Sequence, residues 1–298
     1  MRRQQTIATA AICEGVGVHS GAPARVRFAP GAANAGIVFV RSDFEGASAR
    51  IQAHADNIFT TELGTTLRNA SGCEIATVEH VLAACAGLEI DNLQVVVDGP
   101  EVPILDGSSS PFVDILLQAG VREQAAPRRR IRVRETVSVE AGGRRAALEP
   151  ASEIEFDVTI RFDDPVIGVQ RRVFPLTPEV FLHEIAGART FGFLSDVDRL
   201  RAAGRGRGAS LDNTLVVSEG RIVNPEGARF TDEFVRHKML DAVGDLALAG
   251  APILARYVAD QPGHAMNAAL VRKLLADPQA WAWEVETESD AQLRAAAG

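Results

Sequence analysis

Three polar side chains recur at intervals of four residues in the segment DEFVRHKMLDAVGDLALAG, namely His237, Asp241 and Asp245. Residues four apart lie one turn above each other on an α-helix, so these three share one face of a helix whose other positions are mostly apolar. A His and a carboxylate on that face, joined by a His from elsewhere, form a three-ligand set with an open coordination position, as in catalytic zinc sites. The spacing therefore predicts a helix over residues 233–249 that carries part of a metal site.

Glu79 and His80 are the candidates for the missing part of that site. They fall at the start of a helix predicted over residues 78–86, for which Thr77 is the expected N-cap. Adjacent helical residues point about 100° apart, so the two side chains serve different partners. His80 can bind the metal while Glu79 reaches a water at the open position. The plainer interpretation of Glu79 is a first-turn acid that the helix dipole favours.

Two further histidines have a sequence context that suits an active site. His264 lies at the start of a helix predicted over residues 266–275, and His19 lies in the Gly-flanked turn EGVGVHSG. A surface His at a helix terminus and a hydrogen-bonded loop His are the respective alternatives. A structural His–Asp pair is likewise the alternative for His237 and Asp241. On spacing alone these alternatives stay open.

The composition excludes several classes of protein. The chain has 298 residues, of which 46% are hydrophobic, and a formal net charge of -8, which argues against a nucleic-acid partner. Its cysteines are far apart and form no CxxC pair, which is typical of a reducing compartment. No apolar run reaches the ~18 residues of a transmembrane helix, and the N-terminus lacks a signal-peptide pattern. We expect a cytoplasmic monomer without stable membrane insertion.

Apolar periodicity divides the chain into two parts. It is lost in EQAAPRRRIRVRE, which predicts a domain boundary near residue 125. Residues 1–125 then carry the Glu-His pair, and residues 126–298 carry the helical stripe and His264. Both parts show several strands, a helix, a strand and a helix, which suggests an internal duplication. The C-terminal segment ESDAQLRAAAG is expected to fray.

Longer motifs resemble one known family. TVEHVLAACAGLEIDN, FVRHKMLDAVGDL and GHAMN are similar to segments of UDP-3-O-acyl-N-acetylglucosamine deacetylase, the zinc enzyme of the committed step of lipid A synthesis in Gram-negative bacteria. GVGVHSG, PILDGSSSPFV, ARTFGFL and GASLDN match further segments in the family order. The resemblance extends over residues 4–275, which is nearly the whole chain.

The resemblance implies two α+β domains of similar topology that enclose the active site between them. Each domain is a β-sheet layered with helices and has a small insert. The insert of the second domain, around residues 190–222, forms part of a hydrophobic passage for the acyl chain of the substrate. The implied reaction is hydrolysis of the N-acetyl group of UDP-3-O-(3-hydroxyacyl)-N-acetylglucosamine, which gives acetate and the free 2-amine.

Position by position, the resemblance also implies a role for each site residue. The implied zinc ligands are His80, His237 and Asp241. The residues implied to act in the reaction are Glu79 as general base, His264 as acid or charge stabiliser, Asp245 as the carboxylate that orients His264, and Thr190 as support for the oxyanion. The implied substrate contacts are Lys238, Phe191, Phe193 and His19.

The chain departs from the family pattern at two positions. Gly64 stands where some members carry a Cys near the metal, and Ala209 replaces the second Gly of a GGS turn. Iron could occupy the same ligands as zinc in the cell. The absence of HExxH disfavours another zinc amidase or peptidase. A non-catalytic metal- or nucleotide-binding protein on the same scaffold would need neither Glu79 nor His264, and a purely structural α+β protein leaves the polar stripe unexplained.

Overall fold

The first half of the chain alternates strands with two helices, the first of which carries Glu79 and His80. A computed structural model describes residues 1–287. The strands of this half are β1 (Arg3–Ile7), β2 (Ala11–Val16), β3 (Pro23–Pro30), β4 (Ile37–Arg41), β5 (Arg50–Gln52), β6 (Ile58–Thr60), β7 (Thr66–Arg68), β8 (Glu74–Ile75), β9 (Leu93–Asp98) and β10 (Val121–Pro127). The helices are α1 (Glu79–Gly87) and α2 (Ser110–Gln118), with short 3-10 turns at Gly46–Ala49 and Ala55–Asn57.

The second half repeats this alternation. Its strands are β11 (Arg129–Val133), β12 (Val137–Ala141), β13 (Arg144–Glu149), β14 (Glu155–Arg161), β15 (Val169–Pro175), β16 (Phe191–Phe193), β17 (Leu215–Ser218), β18 (Arg221–Ile222), β19 (Ile253–Leu254), β20 (Arg256–Asp260) and β21 (Trp281–Val285). Its helices are α3 (Pro178–Val180), continued by a π-helical turn at Phe181–Ile185, α4 (Val197–Ala202), α5 (Glu233–Leu246) and α6 (His264–Ala276). Short 3-10 turns lie at Leu194–Asp196 and Ala247–Ala249.

Two sheets have the same strand order and the same strand directions. The first sheet runs β2-β3-β9-β4-β5, and the second runs β12-β13-β20-β14-β15. In each sheet the central strand pairs in parallel with one neighbour, β9 with β4 and β20 with β14, and the other pairs are antiparallel. A helix precedes each central strand, α1 or α5, and another follows it, α2 or α6. The predicted α+β fold of two similar halves is confirmed.

The other strands form smaller sheets around these two. Sheet β6-β7-β8 follows β5 in the chain, and sheet β16-β17-β18 follows α3, so each half contains an insert. Strand β1 pairs with β10, and β11 lies between β19 and β21. Residue 125 lies within β10. The division of the chain into domains at that residue stays a prediction.

Buried and partly exposed side chains alternate along the central strands, and this pattern explains how the sheets pack against the core. On the central strand β9, Leu93, Val95 and Val97 are fully buried, whereas Gln94 and Val96 are partly exposed. Successive side chains of a strand point to opposite faces of the sheet, so one face of β9 joins the core. The buried apolar residues of both halves form one continuous cluster.

Helices α1 and α5 pack against each other where the two halves meet. Gly244 permits the close approach, because a Cβ at this position would lie 2.1 Å from the backbone oxygen of Glu79. Gly87 likewise leaves space for the ring of Phe181, which a Cβ would meet at 2.1 Å. Both helices are buried over almost all of their length. The polar side chains of both helices are therefore mostly shielded from solvent.

The helix ends follow the sequence prediction at α5 but not at α1. Helix α5 runs into the turn at Ala247–Ala249, and Gly250 ends it with the left-handed φ of 82° that favours glycine. The prediction of Thr77 as N-cap of α1 is wrong. Thr77 has a φ of 59°, and its hydroxyl donates to the carboxylate of Glu101 at 3.3 Å.

Two other expectations concern the membrane and the C-terminus. Every helix within residues 1–287 is too short or too polar to traverse a bilayer. The segment ESDAQLRAAAG, for which we expected fraying, lies outside the described residues.

Candidate metal centre and active site

Helices α1 and α5 bring together three side chains that could hold a metal ion. His80 on α1 and both His237 and Asp241 on α5 offer one ligand atom each, and these atoms lie within 4.8 Å of one another. Nε2 of His237 is 3.3 Å from Oδ1 of Asp241, and Nε2 of His80 is 3.9 Å from the same oxygen. All three residues are buried. A divalent ion with bonds of about 2.0–2.2 Å to each ligand fits between atoms at these separations.

The surroundings hold these side chains in the protonation states that bind metals. Burial, reinforced by the neighbouring His237, lowers the pKa of His80 to about 3. Burial also lowers the pKa of His237, whose Nδ1 donates to the carbonyl of Ala188 at 3.1 Å and so leaves Nε2 for the cluster. Burial opposes ionisation of Asp241, but attraction to His237 and nearby cations outweighs it and lowers the pKa of the carboxyl. Two neutral imidazoles and a carboxylate fit a divalent metal ion.

Glu79 lies beside this cluster with its carboxylate buried. The backbone N–H of Thr65 donates to Oε2 of Glu79 at 3.0 Å. Burial raises the pKa of Glu79 to about 7, against the opposing charge of His264 and with a contribution from Asp245. A carboxylate that titrates near neutral pH suits the role of general base.

His264 begins α6 and faces the same cluster. Its Nδ1 donates to Oδ2 of Asp245 at 2.9 Å, and its Nε2 lies 3.8 Å from Oδ2 of Asp241. Burial alone would lower the pKa of His264, but the two carboxylates outweigh burial and raise that pKa to about 10. The imidazole is therefore protonated at neutral pH, where it can stabilise negative charge or donate a proton.

Comparison with known proteins identifies the family. The family profile described as UDP-3-O-acyl N-acetylglycosamine deacetylase matches residues 4–276. The chain belongs to this deacetylase family. A protein named UDP-3-O-acyl-N-acetylglucosamine deacetylase from Phenylobacterium zucineum is 49% identical over 278 residues, which cover 93% of this chain and 95% of the relative.

Two further relatives carry the same name as the Phenylobacterium protein. The protein from Anaeromyxobacter sp. (strain Fw109-5) is 48% identical over 92% of this chain and 89% of its own length. The protein from Actinobacillus pleuropneumoniae serotype 3 is 46% identical over 94% of this chain and 92% of its own length. Membership of the deacetylase family thus rests on alignments that cover about nine-tenths or more of this chain and of each relative.

In this member of the deacetylase family, Phe191 and Lys238 lie directly beside the candidate metal ligands His237 and Asp241. The ring of Phe191 stands edge-on to that of His237, with 6.2 Å between centroids. Nζ of Lys238 lies 5.6 Å from the centre of the Phe191 ring and donates to Oδ2 of Asp241 at 2.7 Å. The cluster therefore has an apolar wall with the Lys238 cation at its edge.

Thr190 and Phe193 extend that wall along the insert. The N–H of Thr190 donates to the carbonyl of Gly107 at 2.8 Å, which ties the start of β16 to the first half. Two residues earlier in the chain, Ala188 accepts the hydrogen bond from His237, a candidate metal ligand. Further along, the ring of Phe193 packs at 5.9 Å from that of Phe162. The segment from Ala188 to Phe193 thus runs from the candidate metal ligands to an aromatic surface.

His19 lies close to Glu79 across Gly64. A Cβ on Gly64 would meet Oε1 of Glu79 at 2.9 Å and Nε2 of His19 at 3.7 Å, so a larger residue would crowd the carboxylate and make ordinary contact with the His19 ring. Nε2 of His19 contacts the carbonyl of Leu63 at 3.0 Å. The buried carboxylate of Glu101 accepts from the backbone N–H of His19 at 2.8 Å and so holds the turn in place.

Sequence reasoning missed two residues that contact the active-site carboxylates. The hydroxyl of Thr65 donates to Oδ1 of Asp245 at 2.6 Å, and Nδ2 of Asn267 donates to Oδ2 at 2.9 Å. Asn267 could have been found, because it follows His264 by three residues on the same helix and so shares its face. Thr65 comes from a separate loop, and no local pattern points to it.

Proposed function

We propose that this protein hydrolyses the acetamide of UDP-3-O-(3-hydroxyacyl)-N-acetylglucosamine to acetate and the free 2-amine. Membership of the deacetylase family and relatives at up to 49% identity support this reaction, which is the committed step of lipid A biosynthesis. The observation that carries the proposal is a buried cluster in which the His80, His237 and Asp241 ligand set adjoins Glu79 and His264.

Zinc is the ion that we propose for the three ligands. Two imidazoles and one carboxylate form a set that leaves a position open in catalytic zinc sites. Fe²⁺ suits the same donors and is the alternative in the cell. Bound there, the ion would polarise the acetamide carbonyl and make water easier to deprotonate.

Glu79 is the proposed general base. With a pKa of about 7, its carboxylate is partly ionised at neutral pH and takes a proton from the water that attacks the carbonyl carbon. Thr65 holds Oε2 of that carboxylate, so Oε1 is the oxygen that we expect to accept the proton. The new C–O bond turns the carbonyl oxygen into an oxyanion.

Two further residues are proposed to act on the charges that develop. The hydroxyl of Thr190 donates to the oxyanion and so stabilises the tetrahedral intermediate. His264, protonated and oriented by Asp245, stabilises negative charge and then donates its proton to the leaving amine as the C–N bond breaks. Both effects act where surrounding protein excludes water and strengthens electrostatic interactions.

The remaining site residues are proposed to bind the substrate. Phe191 and Phe193 offer apolar surface for the acyl chain. Lys238 has a partly exposed side chain and offers a cation to the diphosphate. His19 lines the site next to Glu79. We further propose that the protein works as a cytoplasmic monomer, in keeping with its buried free cysteines at positions 13, 73 and 85.

Acetate release from UDP-3-O-(3-hydroxyacyl)-N-acetylglucosamine tests the proposed function. The assay is run on the purified protein, after chelation, and after Zn²⁺ is added back. We expect turnover that is lost with the metal and returns with it. A folded, zinc-loaded protein that releases no acetate contradicts the proposal and favours a binding protein with a closed metal site.

A further inference from the structure

Thr65 contacts both carboxylates that frame the reacting groups. Its backbone N–H donates to Oε2 of Glu79 at 3.0 Å, and its hydroxyl donates to Oδ1 of Asp245 at 2.6 Å. Glu79 belongs to α1 and Asp245 to α5, so this one residue connects the proposed base on one helix with the carboxylate that orients His264 on the other. Thr65 itself is 1% exposed.

The carboxylate of Asp245 is surrounded by donors. Oδ1 accepts from Thr65, and Oδ2 accepts from both Nδ1 of His264 and Nδ2 of Asn267, each at 2.9 Å. A buried carboxylate that loses a donor is left with an unsatisfied oxygen, which is costly in a low-dielectric interior. Asp245 therefore has a strong preference for the one orientation in which all these bonds form.

Tyr257 fixes the Asn267 part of this network. Its hydroxyl donates to Oδ1 of Asn267 at 2.6 Å, and both residues are buried. Because an ionised carboxylate only accepts hydrogen bonds, the NH₂ end of Asn267 faces Asp245, and its amide oxygen is left to accept from the Tyr257 hydroxyl. The chain of contacts from Tyr257 thus reaches His264 through Asn267 and Asp245.

We propose that Thr65 and the Asn267–Tyr257 pair are positioning residues for the deacetylation. They hold Asp245 from opposite oxygens and thereby set the direction in which the His264 imidazole points at the substrate. Thr65 also sets the position of Glu79 through its backbone, so it fixes the proposed base and the proposed acid relative to each other. This inference rests on the proposed deacetylase function.

The reason to expect an effect on rate is geometric. His264 acts on the reacting groups only if Nε2 lies within hydrogen-bond reach of them, and small misplacements of a catalytic group lower rates by about 10²-fold. A positioning effect of this kind lowers kcat and leaves KM nearly unchanged, because the substrate contacts of the ground state are not altered.

Substitution of Thr65 separates its hydroxyl from its backbone contact. Thr65→Val removes the hydroxyl but keeps the branched shape and the N–H that holds Glu79, whereas Thr65→Ser keeps the hydroxyl. We expect Thr65→Val to lower kcat by about 10–100-fold, with KM within about 3-fold of wild type, and Thr65→Ser to restore most of the rate. Unchanged kcat in a folded, zinc-loaded Thr65→Val protein would overturn the role of the hydroxyl.

Combination with His264→Ala tests whether Thr65 acts through His264. If it does, adding Thr65→Val to His264→Ala should change kcat by less than about 2-fold, because the group that is positioned has gone. A decrease as large as in the wild-type background would overturn this route. Tyr257→Phe supplies an independent variant that removes one oxygen atom, and we expect a smaller kcat decrease in the same direction.

Proton NMR of ¹⁵N-histidine-labelled protein adds a readout that does not depend on turnover. We expect the Nδ1–H proton of His264, hydrogen-bonded to Asp245, to resonate far downfield in wild type and Thr65→Ser. It should shift or broaden in Thr65→Val, and an identical signal in that variant would contradict the proposal. Wild-type acetate release in parallel distinguishes failure of this inference from failure of the proposed function.

Discussion

Helices α1 and α5 occupy the same place in the two halves of the fold, yet they contribute to the site in different ways. Helix α1 offers two adjacent residues at its first turn, Glu79 and His80. Helix α5 offers His237, Asp241 and Asp245 in a stripe along its length. The sheet topology is repeated, but the functional residues are not. The candidate metal centre is therefore shared between the halves, and neither half contains it alone.

Helices α2 and α6 also occupy equivalent places in the two halves and contribute in different ways. Each follows the central strand of its sheet, and each begins near the group formed by His80, His237 and Asp241. Helix α6 begins with His264, which faces the cluster itself. At the start of α2, the hydroxyl of Ser109 donates to the backbone carbonyl of His80 at 2.9 Å. One helix start therefore brings a candidate reacting group to the cluster, and its counterpart hydrogen-bonds the backbone of a candidate ligand.

Removal of a ligand from α5 should have the largest effect. We expect His237→Ala to lose bound metal and to lose activity by more than about 10³-fold, because two ligands rarely retain a catalytic ion. Elemental analysis of the purified protein measures the metal content. His183→Ala, which removes an exposed His from the same half, is the matched control. Wild-type metal content in His237→Ala would contradict the shared site.

Loss of the proposed base on α1 should leave the metal in place. We expect Glu79→Gln to lower kcat by about 10²–10⁴-fold, because the amide cannot accept the proton. Steady-state kinetics with metal content measured on the same sample separates this effect from loss of a ligand. Near-normal turnover would remove Glu79 from the mechanism.

Loss of the His at the start of α6 should give an effect of similar size. We expect His264→Ala to lower kcat by about 10²–10⁴-fold while zinc stays bound, since the imidazole acts on the reacting groups rather than holding the ion. Kinetics on zinc-loaded protein provides the test. Turnover close to that of wild type would show that α6 contributes structure but no chemistry.

The contact between α1 and α5 can be disturbed without touching a functional side chain. Gly244→Ala places a methyl group where the backbone oxygen of Glu79 lies 2.1 Å away, so the helices must separate. We expect a loss of about 1–3 kcal/mol in the free energy of unfolding, together with weaker zinc affinity. Chemical denaturation and competition with a chelator measure the two quantities.

Gly192→Ala is the control for that variant, because a Cβ there meets nothing within 4 Å. We expect its free energy of unfolding to stay within about 0.5 kcal/mol of wild type. If Gly244→Ala loses no more free energy of unfolding than Gly192→Ala, the close approach of α1 and α5 does not stabilise the contact between the two halves.

The smallest expected effect concerns Asp157, whose carboxylate lies on β14 of the second sheet. Hydrogen bonding from Arg171 holds the pKa of Asp157 below its usual value, against the effect of burial. A carboxyl with a lowered pKa stabilises the fold above the unfolded-state pKa of about 3.9, and this contribution is lost as the pH falls through the folded-state value. The stability difference between wild type and Asp157→Asn should thus be largest near neutral pH and vanish in acid.

Denaturation at a series of pH values checks this expectation. The difference should be about 1 kcal/mol or less at pH 7, since Arg171 is exposed to solvent. Asp163→Asn, which changes an exposed carboxylate of the same half, is the matched control. A difference that persists unchanged at low pH would show that the Asp157 carboxylate does not act through its charge.

Periodicity predicted the elements that carry the site better than it predicted their ends. The four-residue spacing of His237, Asp241 and Asp245 predicted α5, because burial forces the polar residues of an apolar helix onto one face. Gly250 was predictable as its end, since only a residue that tolerates positive φ ends a helix in this way. Thr77 was wrongly predicted as a cap, because Glu101 competes for its hydroxyl from a distant loop.

Contacts between distant segments could not be predicted from spacing. The distances that join His80 to Asp241, and Thr65 to Asp245, depend on how two sheets and their helices dock. Nothing in the sequence around Gly244 shows why a glycine is needed there, because the atoms that leave no room for a Cβ belong to the backbone of α1. Motif resemblance supplied the residues of both halves, and the structure adds the hydrogen bonds that orient them.

The location of the bound metal decides whether the metal centre is shared between the two halves. Crystals of the zinc-loaded protein, measured on both sides of the zinc absorption edge, give an anomalous difference map that shows where the ion lies. We predict one peak between α1 and α5, about 2.0–2.2 Å from Nε2 of His80, Nε2 of His237 and a carboxylate oxygen of Asp241. A peak bound by residues of one half alone, or a zinc-loaded protein with no peak at these side chains, would contradict a metal centre shared between the two halves.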